Sequence, residues 1–88
     1  MNGRQTGGMP NENTADIHAL DVTVWVGKSG IDPVVDELAD QLDDGPVKAK
    51  FLRAARGGTT TEALATALAD RTGAELLDVR GHTAVFDR

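Results

Sequence analysis

Two short stretches hold residues whose types and spacing suit chemistry on an anion. The first is Gly27-Lys28-Ser29-Gly30. Two glycines let a backbone come close to a ligand, Lys28 adds a charge and Ser29 a hydroxyl donor. Amides at the start of a following helix would attract phosphate oxygens. The second is Lys48, Lys50, Arg53 and Arg56, all within the span 45–61, where no acid occurs. Each stretch also has a plain explanation. Glycine is common where a strand turns into a helix, and charged residues on a strand usually face solvent. The local excess argues for more. In a chain of net charge −5, four bases without a neighbouring acid form a positive region able to steer an anion.

Several chemistries are excluded. Gly27-Lys28-Ser29 ends like a P-loop, but that motif needs a glycine five positions before its Gly-Lys, where this chain has Val22. No cysteine is present, which removes disulfides, thiolate nucleophiles and cysteine-ligated zinc. His18 and His82 lie 64 positions apart and share no metal-ligand spacing. His18 is expected to pack or cap locally. His82, beside Gly81, is expected in solvent with the option of a phosphate contact. No nucleophile–base pair can be assembled, so no catalytic residue, metal or cofactor is expected, and the chain is read as not an enzyme.

Length and charge narrow the reading further. A chain of 88 residues makes one domain, which buries only about 60% of its unfolded surface and leaves little room for an enclosed small-molecule pocket. No apolar run approaches the roughly 20 residues of a membrane span. Met1-Asn2-Gly3-Arg4-Gln5 leads into no apolar stretch, so a soluble, cytoplasmic protein is expected. Ten of the fourteen acids are aspartate and only three lysines occur. Taken alone, that balance opposes nucleic-acid binding. It is also the surface expected of a halophile's protein, because concentrated salt screens self-repulsion.

The elements that must position these residues follow from pattern. Residues 1–14 are rich in Gly, Asn and Thr and read as a disordered tail, followed by a short helical turn at 15–20. Val22-Thr23-Val24-Trp25-Val26 alternates with period two, as a strand does. A helix is expected from Asp32 as N-cap, with Pro33 at its first position and Val34, Val35, Leu38 and Leu42 as its buried stripe. Gly45-Pro46 ends it. Val47-Lys48-Ala49-Lys50-Phe51 alternates again and turns both lysines to one side. A capping box of Thr59 and Glu62 should open the next helix, with Leu64, Ala67 and Leu68 inward and Gly73 as its stop. Two strands, 74–80 and 82–87, form a hairpin about Gly81. The order β-α-β-α-β-β gives a two-layer α/β domain over 15–88 with a four-stranded mixed sheet. Trp25 points to the face opposite Val24 and Val26, and tryptophan in a small domain packs in the core more often than it stacks on a base, so a core position is expected. Phe51 and Phe86 also fall on inward positions, so stacking of several bases is not expected.

These segments in this order resemble the CRM domain family, also called YhbY-like. The resemblance covers residues 17–88 and rests on His18-Ala19-Leu20, on Val24-Trp25-Val26-Gly27-Lys28-Ser29-Gly30-Ile31 with its GxxG loop, and on Val47-Lys48-Ala49-Lys50. Thr72-Gly73-Ala74 and Val79-Arg80-Gly81-His82-Thr83-Ala84-Val85-Phe86 complete it. It implies a fold similar to the C-terminal domain of a bacterial initiation factor. It also implies binding of structured RNA, with stand-alone prokaryotic members associating with precursors of the large ribosomal subunit. The implied RNA contacts are Gly27, Lys28, Ser29, Gly30, Lys48 and Lys50, to which Arg53, Arg56 and His82 are added from the charge pattern. The chain departs from the family in lacking a longer basic first helix, in carrying His82 where a lysine is common, and in its acidic surface.

The expected partner is therefore RNA, ribosomal RNA or a large-subunit precursor, with no membrane and no small-molecule substrate. The rival expectation is a protein-interaction module on the ribosome that uses the acidic helix around Asp36 and Asp40.

Overall fold

The computed structural model describes residues 19–88. The expected tail (1–14), most of the expected turn at 15–20, and His18 lie outside the described residues. The chain forms β1 (Val22–Val26), α1 (Val35–Leu42), β2 (Val47–Phe51), α2 (Thr61–Thr72), β3 (Glu75–Arg80) and β4 (Thr83–Asp87). The strands lie in the order β1-β2-β4-β3. β1 and β2 are parallel, and the two remaining pairings are antiparallel. This is the expected mixed sheet, with α1 as the crossover between the parallel strands.

Both helices cover one face of that sheet. Val24 and Val26 of β1, Ala49 and Phe51 of β2, and Ala84 and Phe86 of β4 join Leu38 and Leu42 of α1 and Ala65 and Leu68 of α2 in one buried cluster. The strand residues of this set sit at alternate positions, so period two alone assigns them inward. The same parity sends Trp25, Lys48, Lys50 and Thr83 to the other face.

Four local expectations need correction. Asp32 does not cap α1. Residues Asp32–Val34 form a 3-10 turn, and the α-helix begins at Val35. Asp32 lies inside that turn, and its carboxylate accepts from the Arg71 guanidinium of α2 at 2.5 Å. Thr59 is not the cap of α2 either. Thr60 has extended backbone and its hydroxyl accepts from the Ala63 N–H at 3.1 Å. The cap thus lies one residue later, and Glu62 can no longer close a capping box, which needs the third residue after the cap.

The inward face of α2 rotates with its start, to Thr61, Ala65, Leu68 and Ala69; Leu64 packs at its margin and Ala67 stays half-exposed. Lastly, Trp25 is not core but 54% exposed. Its neighbours Val24 and Val26 claim the helix-covered face, and alternation overrides tryptophan's preference for the interior. The two glycine stops are as expected. Gly73 adopts the left-handed conformation (φ 72°) as the stop of α2, and Gly81 (φ 60°) turns the hairpin.

Candidate nucleic-acid interface

The strand pairing decides which loops meet. Val26 of β1 lies beside Phe51 of β2, and Lys50 of β2 lies beside Thr83, the first residue of β4. Thr83 in turn lies beside Arg80, the last residue of β3. The turn after β1 (residues 27–30), the turn after β2 (Arg53–Arg56) and the Gly81-His82 hairpin turn therefore emerge at the same end of the sheet. Backbone bonds tie the three together. The Leu52 N–H donates to the Val26 carbonyl at 2.8 Å and the Phe51 N–H to the His82 carbonyl at 2.7 Å.

Each predicted residue can now be placed. The Gly30 N–H donates to the Gly27 carbonyl at 2.9 Å, closing a four-residue turn with Lys28 and Ser29 exposed at its corners. Their amides take no part in that closing bond. The loop does not open directly into an α-helix, as the sequence suggested: the 3-10 turn intervenes, and its Val34 N–H donates to the Ile31 carbonyl at 3.0 Å. The local donors are therefore those of the loop itself. Lys50 and Arg53 are exposed at this end, and so is His82. Arg56 is at the same end but half-buried, with its Nε donating to the Phe51 carbonyl at 3.1 Å, so it props the turn against β2. Lys48 sits further along the same face, half-buried in a row with Val85 and Asp78, and has intramolecular interactions of its own.

The structure thus gathers Gly27, Lys28, Ser29, Gly30, Lys50, Arg53 and His82 into one region. It sets Lys48 apart and gives Arg56 a supporting task. Two residues that sequence reasoning left out join the group. Arg80 is exposed beside Thr83, and Trp25 lies beside Lys50. Strand parity was a signal for both. Arg80 ends a strand immediately before the hairpin glycine, on the side opposite Val79.

Electrostatics sharpens the region. Arg71 pairs with Asp32, and Arg88 with Asp43 while also donating to the Ala39 carbonyl at 3.3 Å. Those cations balance acids on the helical side, where Asp36, Glu37, Asp40 and Asp44 are exposed. Among the described residues no group of His, Cys, Asp or Glu is arranged to hold a metal ion, and no helix is long and apolar enough to cross a membrane. An open depression lined by Thr60, Glu62, Ala63, Thr66, Ala67 and Asp70 lies on the outer side of α2.

Comparison with known proteins finds a matching family and relatives of this chain. Residues 11–88 match the family model of the CRS1 / YhbY (CRM) domain. The chain is similar to probable RNA-binding protein MJ0652 of Methanocaldococcus jannaschii, with 36% identity over 84 residues covering 94% of this chain. It spans 63% of the length of that curated relative. It also resembles the solution structure of the hypothetical protein SAV1595 from Staphylococcus aureus, described as a candidate RNA-binding protein. That match has a TM-score of 0.67 and 26% identity, covering 85% of this chain and 78% of the other.

Proposed function

This chain belongs to the CRS1 / YhbY (CRM) domain family, and on that premise we propose that it is a non-catalytic RNA-binding domain. Its target in this reading is ribosomal RNA or a precursor of the large subunit, bound during ribosome assembly. The observation that carries the reading is the convergence of three turns at one sheet end, with exposed Lys28, Lys50 and Arg53 beside the glycine-flanked loop. The amides of Lys28 and Ser29, which take no part in the turn's closing bond, hold a phosphate, and the cations line its approach. Phe51 and Phe86 are fully buried, so recognition rests mostly on shape and backbone.

The test is the double variant Lys28→Glu, Lys50→Glu. Both side chains are exposed, so the fold should survive, as circular dichroism would verify. RNA binding in a filter or fluorescence assay should disappear. Unchanged affinity would remove this surface from consideration. A second reading has its own support in the exposed acids of α1, which suit a basic ribosomal protein. Reversing Asp36 and Asp40 to lysine separates the two, because it should spare binding to naked RNA while weakening any contact with such a protein.

A further inference from the structure

We propose that Trp25 is a stacking platform for one unpaired base, which makes the Trp25 end of the sheet's second face a contact surface continuous with the loop end. The inference rests on the RNA-binding reading above and adds the kind of RNA: one whose strand leaves the paired helix beside the gripped phosphate.

Trp25 is 54% exposed, more than any other large apolar side chain among the described residues. It stands within a hydrogen-bonded strand, so its backbone is held and its outward direction is fixed by the pleat. An indole left in water forfeits the burial that makes tryptophan valuable to a small domain, so its place on a sheet face calls for an occupant. Its surroundings identify which. The pairings run Trp25 beside Lys50, Lys50 beside Thr83, and Thr83 beside Arg80, one row across all four strands. Neighbouring strands are about 4.8 Å apart, so a base lying on the indole has Lys50 within reach of its own phosphate. Lys28 follows three residues later, at the loop. A flat apolar ring bordered by cations complements a nucleotide, which is a flat ring carrying an anion. An apolar protein surface would instead bury Lys50 and Arg80 at a desolvation cost. No second aromatic is exposed beside Trp25 among the described residues, so the platform takes one base and not a run.

Trp25 is the sole tryptophan of the chain, so intrinsic fluorescence reports on it alone. The experiment compares a blunt RNA duplex with the same duplex carrying a short single-stranded overhang. The overhang RNA should quench the fluorescence strongly and the blunt duplex only weakly. The overhang should also bind more tightly, and Trp25→Ala should collapse that preference by roughly five- to a hundred-fold, the range for loss of one base–aromatic stack. Trp25→Phe should retain most of it. Should the alanine variant lose its fold, Trp25→Thr carries the same test, since threonine suits a strand.

Equal quenching by both RNAs, or an unchanged preference in these variants, would overturn the platform and leave the loop site standing. Binding of either RNA undiminished by the Lys28→Glu, Lys50→Glu double variant would instead overturn the loop reading. Fluorescence that changes with protein concentration without RNA, together with dimers in sedimentation, would assign the face to a second copy of the chain and overturn the proposal.

Discussion

At the scale of single residues, the two loop glycines serve different ends. Gly30 has φ +82°, in the left-handed region that L side chains avoid, whereas Gly27 does not. A Cβ added at either position meets nothing within 4 Å. Gly30 is therefore required by the turn, and the strain of Gly30→Ala should lower stability by roughly 1–2 kcal/mol in urea denaturation. Neither backbone nor packing requires a glycine at 27. A missing side chain there leaves an open approach for something outside the chain, and the RNA phosphate fits. Gly27→Ala should leave stability within about 0.5 kcal/mol of the parent. It should weaken RNA binding roughly ten-fold, comparable to losing one hydrogen bond to a charged group. If affinity and stability both stay unchanged, phosphate does not approach at Gly27. Lys48 marks the other limit of the site: it already has partners within the fold, so its loss should matter less to RNA than that of Lys50.

At the scale of elements, α2 offers a direct check on where a helix starts. Three threonines in succession, Thr59, Thr60 and Thr61, can each act as an N-cap by type, and only Thr60 does. Thr60→Ala should cost about 1 kcal/mol and Thr59→Ala much less, as read from denaturation midpoints. Equal costs would mean that the cap is shared. The same triplet explains what was legible in the sequence and what was not. Strands such as Val47–Phe51 were readable because period two and burial agree, with Val47, Ala49 and Phe51 inward as expected. The two left-handed stops at Gly73 and Gly81 were readable because few other residues tolerate them. Helix starts were not, since capping depends on which candidate oxygen is free. Asp32 looks like a cap, yet it lies inside a 3-10 turn with its carboxylate on Arg71, distant in sequence. The face of α2 then followed its misplaced start. In the candidate site the loop and Lys50 were legible from local pattern. For Arg80 and Trp25 strand parity gave only the face, because their membership depends on β2 lying between β1 and β4.

At the scale of the whole molecule, a chain of net charge −5 binds a polyanion only if its charges are sorted in space, and the loop end of the sheet is where they are. The acids of α1 lie on the helical side, with Asp32 and Asp43 answered by Arg71 and Arg88. Lys28, Lys50 and Arg53 gather at the loop end. Binding should therefore depend on salt as that local set dictates, not as the net charge does. Each phosphate contact contributes roughly 0.7–0.9 to the slope of log affinity against log salt, so three contacts give a slope of about −2 to −3. Lys50→Gln should make it shallower by about one contact's share. Asp36→Asn with Asp40→Asn should leave it nearly unchanged at 0.15 M salt, where charges more than about 8 Å apart are largely screened. Salt titrations of these three proteins on one RNA make the comparison. If neutralising the helix acids strengthens binding as much as losing Lys50 weakens it, RNA responds to the total charge. The sorted surface would then not be what it recognises. If the slopes separate, raising salt toward 1 M should silence the lysines first and leave the uncharged contacts at the loop and Trp25 as the residual affinity.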